Sequence, residues 1–197
     1  MPGPRRSVLA LAVLSMLLEE PTHAYRMQQL IRERRKDDVV NVSQRNSVYQ
    51  TVQRLVRDGL AEVDSTQRTD NRPERITYRI TDDGRATLRQ WLAAMLSVPS
   101  REYTEFPAAL SFLPNLAPAE ALDALDTRVQ HLKRHLAELD AEIANVASFL
   151  PPLFAVESEY RRKVVEAEIT YVSGLAGELR SQRITWPFVD GRPVWPS

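Results

Sequence analysis

Between Asn46 and Asp58 the chain places Asn46, Ser47, Gln50, Thr51, Gln53, Arg54 and Arg57 among Val48, Val52, Leu55 and Val56. At about 100° per residue the apolar four gather on one side of a helix. Asn46, Gln50, Gln53, Arg54 and Arg57 then lie opposite, with Ser47 and Thr51 on the flanks. Amides, hydroxyls and arginines are the groups that pair with base edges and phosphate oxygens, whereas a merely solvated face more often carries Glu and Lys. A second set, Arg68, Arg72 and Arg75, sits in the polar stretch 67–75 and suits phosphate contact.

Other chemistry finds less to work with. His131 and His135 are four apart, a spacing that can hold a metal on one helical face, but no carboxylate or thiol clusters beside them in sequence. A solvated or structural role is expected for both. The six glycines form no phosphate-cradling loop, no nucleophile elbow or zinc-protease pattern occurs, and there is no cysteine. Neither an enzyme nor a cofactor is expected.

The elements that would carry these residues follow from periodicity and punctuation. A first helix is predicted over Ser7 to Leu18, stopped by Pro21, and a second from Thr22 as N-cap to about Arg35, burying Tyr25, Met27, Leu30 and Ile31. The third, Asn46 to Asp58, ends at Gly59. Alternation then replaces the helical period around residues 60–65 and 76–80, giving two strands joined by the basic loop, and a fourth helix follows Thr81 with Leu88, Trp91, Leu92 and Met95. Three helices, strand, basic loop, strand is the order of a winged helix-turn-helix.

Beyond the Pro-punctuated segment 106–116, Leu122, Leu125, Val129, Leu132, Leu136, Leu139, Ile143, Val146 and Leu150 alternate spacings of three and four, the signature of a coiled coil. After Pro151-Pro152 a helix returns over Ala155 to Arg183 with two apolar stripes, one of Val156, Tyr160, Val164, Ala167, Tyr171 and Leu175, the other of Ile169, Val172, Ala176 and Leu179. Burial on more than one side is expected. The fold class is therefore mainly α with a small β wing. Residues 1–97 form the DNA-binding domain, 98–184 a helical dimerisation and effector domain, and 185–197 an irregular tail.

The formal net charge is zero, yet residues 1–97 hold 16 Arg/Lys against 12 Asp/Glu, leaving 10 against 14 in residues 98–197. That asymmetry marks the N-terminal half as the end that meets nucleic acid. The apolar run Val8–Leu18 is too short to span a bilayer and runs into Glu19-Glu20, so a buried helix and a cytoplasmic protein are expected.

Several stretches resemble the PadR family of bacterial transcriptional regulators. Thr22-His23-Ala24-Tyr25 is similar to the family's His-Gly-Tyr motif. Asn46-Ser47-Val48-Tyr49 with Arg54–Leu60 resembles its recognition helix and wing entry, and Arg72–Gly84 its second wing strand and following helix. Ala24 and Asn46 stand where many members carry glycine. The C-terminal half, with Glu105-Phe106-Pro107 and the heptads, resembles the longer subclass, whose helices dimerise.

The resemblance implies a repressor that binds double-stranded operator DNA as a homodimer and is released by a small effector. Tyr25 and Tyr49 would lend hydroxyls to the DNA backbone beside Asn46, Ser47, Gln50, Thr51, Arg54, Arg68, Arg72 and Arg75. The positions from Leu122 to Val146 would form the dimer seam. Trp91, Tyr103, Phe106 and Phe112, clustered where the two halves meet in sequence, are candidates for an aromatic effector, with interdomain core as the competing reading. A winged helix that serves only protein interaction remains the alternative function.

Overall fold

The computed structural model describes residues 6–37, 39–41, 47–67 and 75–194, without the side chains of Gln67 and Arg75. The chain forms two compact units, Met1–Glu102 and Tyr103–Ser197.

The N-terminal unit runs α1 (Val8–Glu19), α2 (Ala24–Glu33), α3 (Ser47–Arg57), β1 (Ala61–Gln67), β2 (Arg75–Ile80) and α4 (Asp82–Ser97). Ala10, Val13, Leu14 and Leu17 of α1 pack with Met27 and Ile31 of α2, Val48, Val52 and Leu55 of α3, and Leu88 and Trp91 of α4. Leu14, Met27, Ile31 and Leu55 are fully enclosed, and truncating any one to Ala costs about 2–5 kcal/mol.

Two expectations about α2 are corrected. Its N-cap is His23, whose Nδ1 accepts the Arg26 N–H at 3.1 Å. Thr22 is engaged elsewhere, exchanging both backbone hydrogen bonds with Tyr78 at 3.0 and 2.9 Å and so adding a bridge to the wing sheet. Tyr25 is not on the buried face but 63% exposed, because the second residue of the helix points away from the α1–α3 core.

The end of α3 is closed by Gly59, at φ +72°, with Leu60 N–H bonded to Leu55 O at 2.9 Å and Gly59 N–H to Val56 O at 3.1 Å. This 6→1 and 5→2 pair is a Schellman cap, which needs a left-handed residue and turns the chain into β1. β1 and β2 pair antiparallel, Ala61 opposite Ile80, with a bulge between Val63 and Ser65. Thr81 then caps α4: its Oγ1 accepts the Gly84 N–H at 3.0 Å and donates to Gly59 O at 2.7 Å. One hydroxyl thus joins the end of α3 to the start of α4.

The C-terminal unit contains α5 (Glu105–Ser111), α6 (Pro118–Ala147), α7 (Val156–Arg180), β3 (Phe188–Val189) and β4 (Arg192–Pro193). Helices α6 and α7 lie antiparallel, since Asp126 pairs with Arg180, Arg128 with Glu168 and Asp140 with Arg162. Their shared core is Ala121, Leu125 and Val129 against Val172, Ala176 and Leu179.

The heptad seam is therefore satisfied in part within one chain. Leu125, Val129 and Leu139 are buried there, while Leu122, Leu132, Leu136, Ile143 and Val146 are half-buried. On α7 the stripe of Val172, Ala176 and Leu179 is buried, but Val156, Tyr160, Val164 and Tyr171 are 46–70% exposed. The expectation of burial on two sides fails for the isolated chain, because α6 covers one face of α7 only.

The tail is not irregular as expected. Val189 and Arg192 pair around Asp190 and Gly191, at φ +50° and +73°, which are the left-handed residues of a tight hairpin turn. Trp186 Nε1 donates to Leu116 O at 3.0 Å and holds the tail to the turn before α6.

Candidate nucleic-acid interface

Helix α3 carries the expected two faces. Val48, Val52 and Leu55 are buried at 2% exposure or less, while Tyr49, Gln50, Gln53 and Arg57 are exposed. Along the outer side a groove of about 410 Å³ is lined by Ser47, Gln50, Thr51, Gln53, Arg54 and Arg57. Gln50 with Arg54, and Gln53 with Arg57, are each four residues apart and so succeed one another along the helix. Thr51 lines the groove yet is only 7% exposed. It sits at the groove floor, where its hydroxyl is less available than the flanking position in the sequence implies.

Asn46, Arg68 and Arg72 lie outside the described residues, as does the side chain of Arg75, which belongs to β2. Tyr25 and Tyr49 are both surface residues. The Tyr25 ring stacks on His23, with centroids 6.4 Å apart and planes 18° from parallel. Tyr78, by contrast, is buried in the wing base, and burial first, then the neighbouring Tyr49, raises its phenol above the ordinary value.

Several arginines of the unit outside the groove are offset by carboxylates. Arg26 pairs with Glu33 at 2.8 Å, Arg34 with Glu19 at 2.6 Å and Arg79 with Glu62 at 2.8 Å. Among the described residues no carboxylate pairs with Arg54 or Arg57, and Arg54 Nε is buried without a hydrogen-bond partner. Two uncompensated guanidinium groups beside exposed amides form a surface that favours an extended polyanion with hydrogen-bonding edges.

The remaining candidate residues are divided between the two units. Trp91 is a core residue of the N-terminal unit, 7% exposed. In the C-terminal unit Phe106 packs against the α6–α7 core with Arg128 Cζ 3.7 Å from its ring centroid, while Tyr103 and Phe112 are 85% and 68% exposed. His131 lies beside Arg134, and His135 beside Glu138. Among the described residues no group of three His, Asp or Glu side chains is arranged to hold a metal, and no helix is long and apolar enough to cross a membrane.

Sequence reasoning missed Ser7, whose Oγ lies 3.4 Å from Arg54 Nη2. No local signal points to that pairing, since 47 residues separate the partners.

Residues 13–90 match the family model described as the transcriptional regulator PadR-like family. No curated protein matches the chain. Among solved structures, Bacillus subtilis PadR in complex with operator DNA is similar at 19% identity and TM-score 0.68, covering 88% of this chain and 99% of that one. The same protein in complex with p-coumaric acid gives 18% identity and TM-score 0.71 over the same shares. The Vibrio cholerae virulence activator AphA gives 17% and 0.63, covering 88% and 99%. At these identities the structural likeness establishes the fold, and it extends through both units. The winged helix, residues 13–90, is thus PadR-like by the family model, and the chain shares its fold with the solved PadR structures.

Proposed function

We propose that the chain is a sequence-specific DNA-binding regulator that reads a two-fold symmetric operator as a homodimer. The observation that carries this reading is the outer face of α3, where Gln50, Gln53, Arg54 and Arg57 share a groove and the two arginines have no carboxylate partner among the described residues. Gln50 and Gln53 are suited to adenine edges, and Arg57 to guanine or phosphate. A solved PadR bound to operator DNA shares the fold, which supports duplex DNA as the partner here.

Dimerisation is assigned to residues 119–183. The α7 stripe of Val156, Tyr160, Val164 and Tyr171 is apolar and exposed in the single chain, and an apolar surface of this extent on a soluble protein calls for a partner. A groove of about 590 Å³ beside that stripe is lined by Ile143, Val156 and Tyr160 together with the charged Glu159, Arg162 and Lys163. In this reading residues 1–97 are the DNA-binding domain and 98–184 the dimerisation domain, in the cytoplasm.

Repression relieved by an aromatic effector is the finer part of the proposal. Its support is the PadR structure that holds p-coumaric acid; Trp91, Tyr103, Phe106 and Phe112 are the residues to test for contact with such a ligand. Saturable quenching of tryptophan fluorescence by planar phenolic acids is the expected result; a flat titration removes the effector from the reading.

Selection of bound duplexes from a random pool tests the central claim. The expected product is a palindrome whose half-sites lie about one DNA turn, roughly 34–36 Å, apart. A chain that enriches no sequence, or that sediments as a monomer at micromolar concentration, overturns it and favours a winged helix used for protein contact. A reporter placed behind the selected site then distinguishes repression from activation.

A further inference from the structure

The amino end of α1 meets the rim of the α3 groove at one atom. Ser7 precedes α1 in extended backbone, and its Oγ accepts the Ala10 N–H at 3.1 Å, capping the helix. The same oxygen accepts from Arg54 Nη2 at 3.4 Å. A hydroxyl oxygen has two acceptor lone pairs, so one atom serves both donors. The cap fixes the oxygen, and the oxygen in turn fixes one nitrogen of the guanidinium.

This tether changes what Arg54 can do. Its Nε is buried and unpaired, and among the described residues no carboxylate offsets its charge. A partly desolvated cation without a counter-charge is unfavourable until an anion arrives. An arginine already held at one nitrogen also loses less rotamer freedom on binding. It is, however, restricted in reaching down to a base edge, unlike Gln50 and Arg57, which stand on the exposed face of α3.

We propose that Ser7 is a positioning residue: by capping α1 and holding the Arg54 guanidinium at the groove rim, it sets Arg54 against a backbone phosphate of duplex DNA. The inference rests on α3 being the DNA-facing helix.

The test is equilibrium binding of the full chain to its selected duplex and to a scrambled duplex across a salt series, with thermal unfolding of each variant. Ser7→Thr keeps the hydroxyl and should match the parent. Ser7→Gly retains most of the cap but not the tether, so its Tm should stay near the parent's. Both duplexes should nevertheless bind about two- to tenfold more weakly, the effect of immobilising one more rotamer-rich side chain.

Ser7→Asp also caps the helix, but its carboxylate would pair with Arg54. Both duplexes should then weaken alike, and the slope of log K against log salt should fall by about 0.9 for each phosphate that Arg54 no longer neutralises. Parental affinity and slope in both Ser7→Gly and Ser7→Asp overturn the proposal, as does a change in preference between the two duplexes. A parent protein that binds neither duplex at low salt is a different failure, visible without any variant, and removes the α3 reading together with this one.

Discussion

Replacing Gly84 with Ala should damage the N-terminal unit far more than its exposed neighbours on α4 suggest. A methyl group built there would lie 2.0 Å from Leu60 O and 2.8 Å from Ile80 Cγ1. A carbon and a carbonyl oxygen normally stay more than about 3 Å apart, so α4 or the Leu60 peptide must move by about 1 Å. Neither is free to do so. Leu60 O accepts the Thr81 N–H, Leu60 N–H closes the cap of α3, and the Leu60 side chain is 3% exposed. Overpacking of this kind costs about 3 kcal/mol or more. At an m value of about 1–3 kcal/mol/M that moves the urea midpoint by roughly 1–3 M. Trp91, buried in the same core, reports the transition once Trp186 and Trp195 are replaced by Phe in both proteins compared. Gly174→Ala supplies the opposite control: among the described residues nothing lies within 4 Å of its added methyl in α7, so the substitution should stabilise the C-terminal unit by about 1 kcal/mol through helix propensity. A parental midpoint for Gly84→Ala would refute the packing of α4 onto the end of α3.

Gln50→Ala should relax sequence preference at one position of each half-site, losing about 1–3 kcal/mol of discrimination there, whereas Arg57→Ala should weaken cognate binding by a similar amount. Binding to single-substituted operators reads both, and unchanged preference in Gln50→Ala contradicts its assignment. The Glu19 carboxyl accepts two hydrogen bonds from Arg34, each 2.6 Å, and these first, with the arginine's charge, outweigh burial to hold it below its ordinary 4.5. Since the folded value is the depressed one, this stabilisation is complete above 4.5 and is lost as pH falls through the folded value. The pair is solvent-exposed, so Glu19→Gln should lower stability at neutral pH by under about 1 kcal/mol. That difference should shrink as pH is lowered from 4.5 through the folded value in urea titrations; a pH-independent difference would count against the pairing. Tyr160→Glu should shift sedimentation toward monomer and leave the helical content intact, while an unchanged dimer would exclude this α7 stripe from the interface.

Much of the N-terminal unit was legible because its signals are local. The four-residue apolar recurrence of Val48, Val52 and Val56 declares a helix, and the glycine at 59 its end, since only a left-handed residue completes that cap. The errors arise where a tertiary partner outranks a local preference. Thr22 is a good N-cap by type, but Tyr78 occupies both its backbone groups, and the capping passes to His23. In the tail, Asp190-Gly191 was a readable hairpin signal between Phe188-Val189 and Arg192-Pro193. Prolines and exposed residues around it masked strands only two residues long.

The site divides along the same line. Periodicity identifies which side chains of α3 share a face, and so finds Gln50, Gln53 and Arg57, but it carries no information about charge compensation. Arg26, Arg34, Arg54 and Arg57 are equivalent in sequence; only the fold pairs the first two with Glu33 and Glu19 and leaves the others without a carboxylate among the described residues. The C-terminal helices show the converse. Their heptads state clearly that an apolar seam exists, yet an apolar seam has no intrinsic partner, and within this chain α7 takes part of that face of α6. Packing on α7 buries Leu125 and Val129 and so turns part of that seam into structure, while Val156, Tyr160, Val164 and Tyr171 of α7 stay exposed. In the proposed homodimer, assembly would depend on residues whose exposure is a consequence of packing elsewhere, and substitutions in the α6 seam should act on folding of the unit before they act on association.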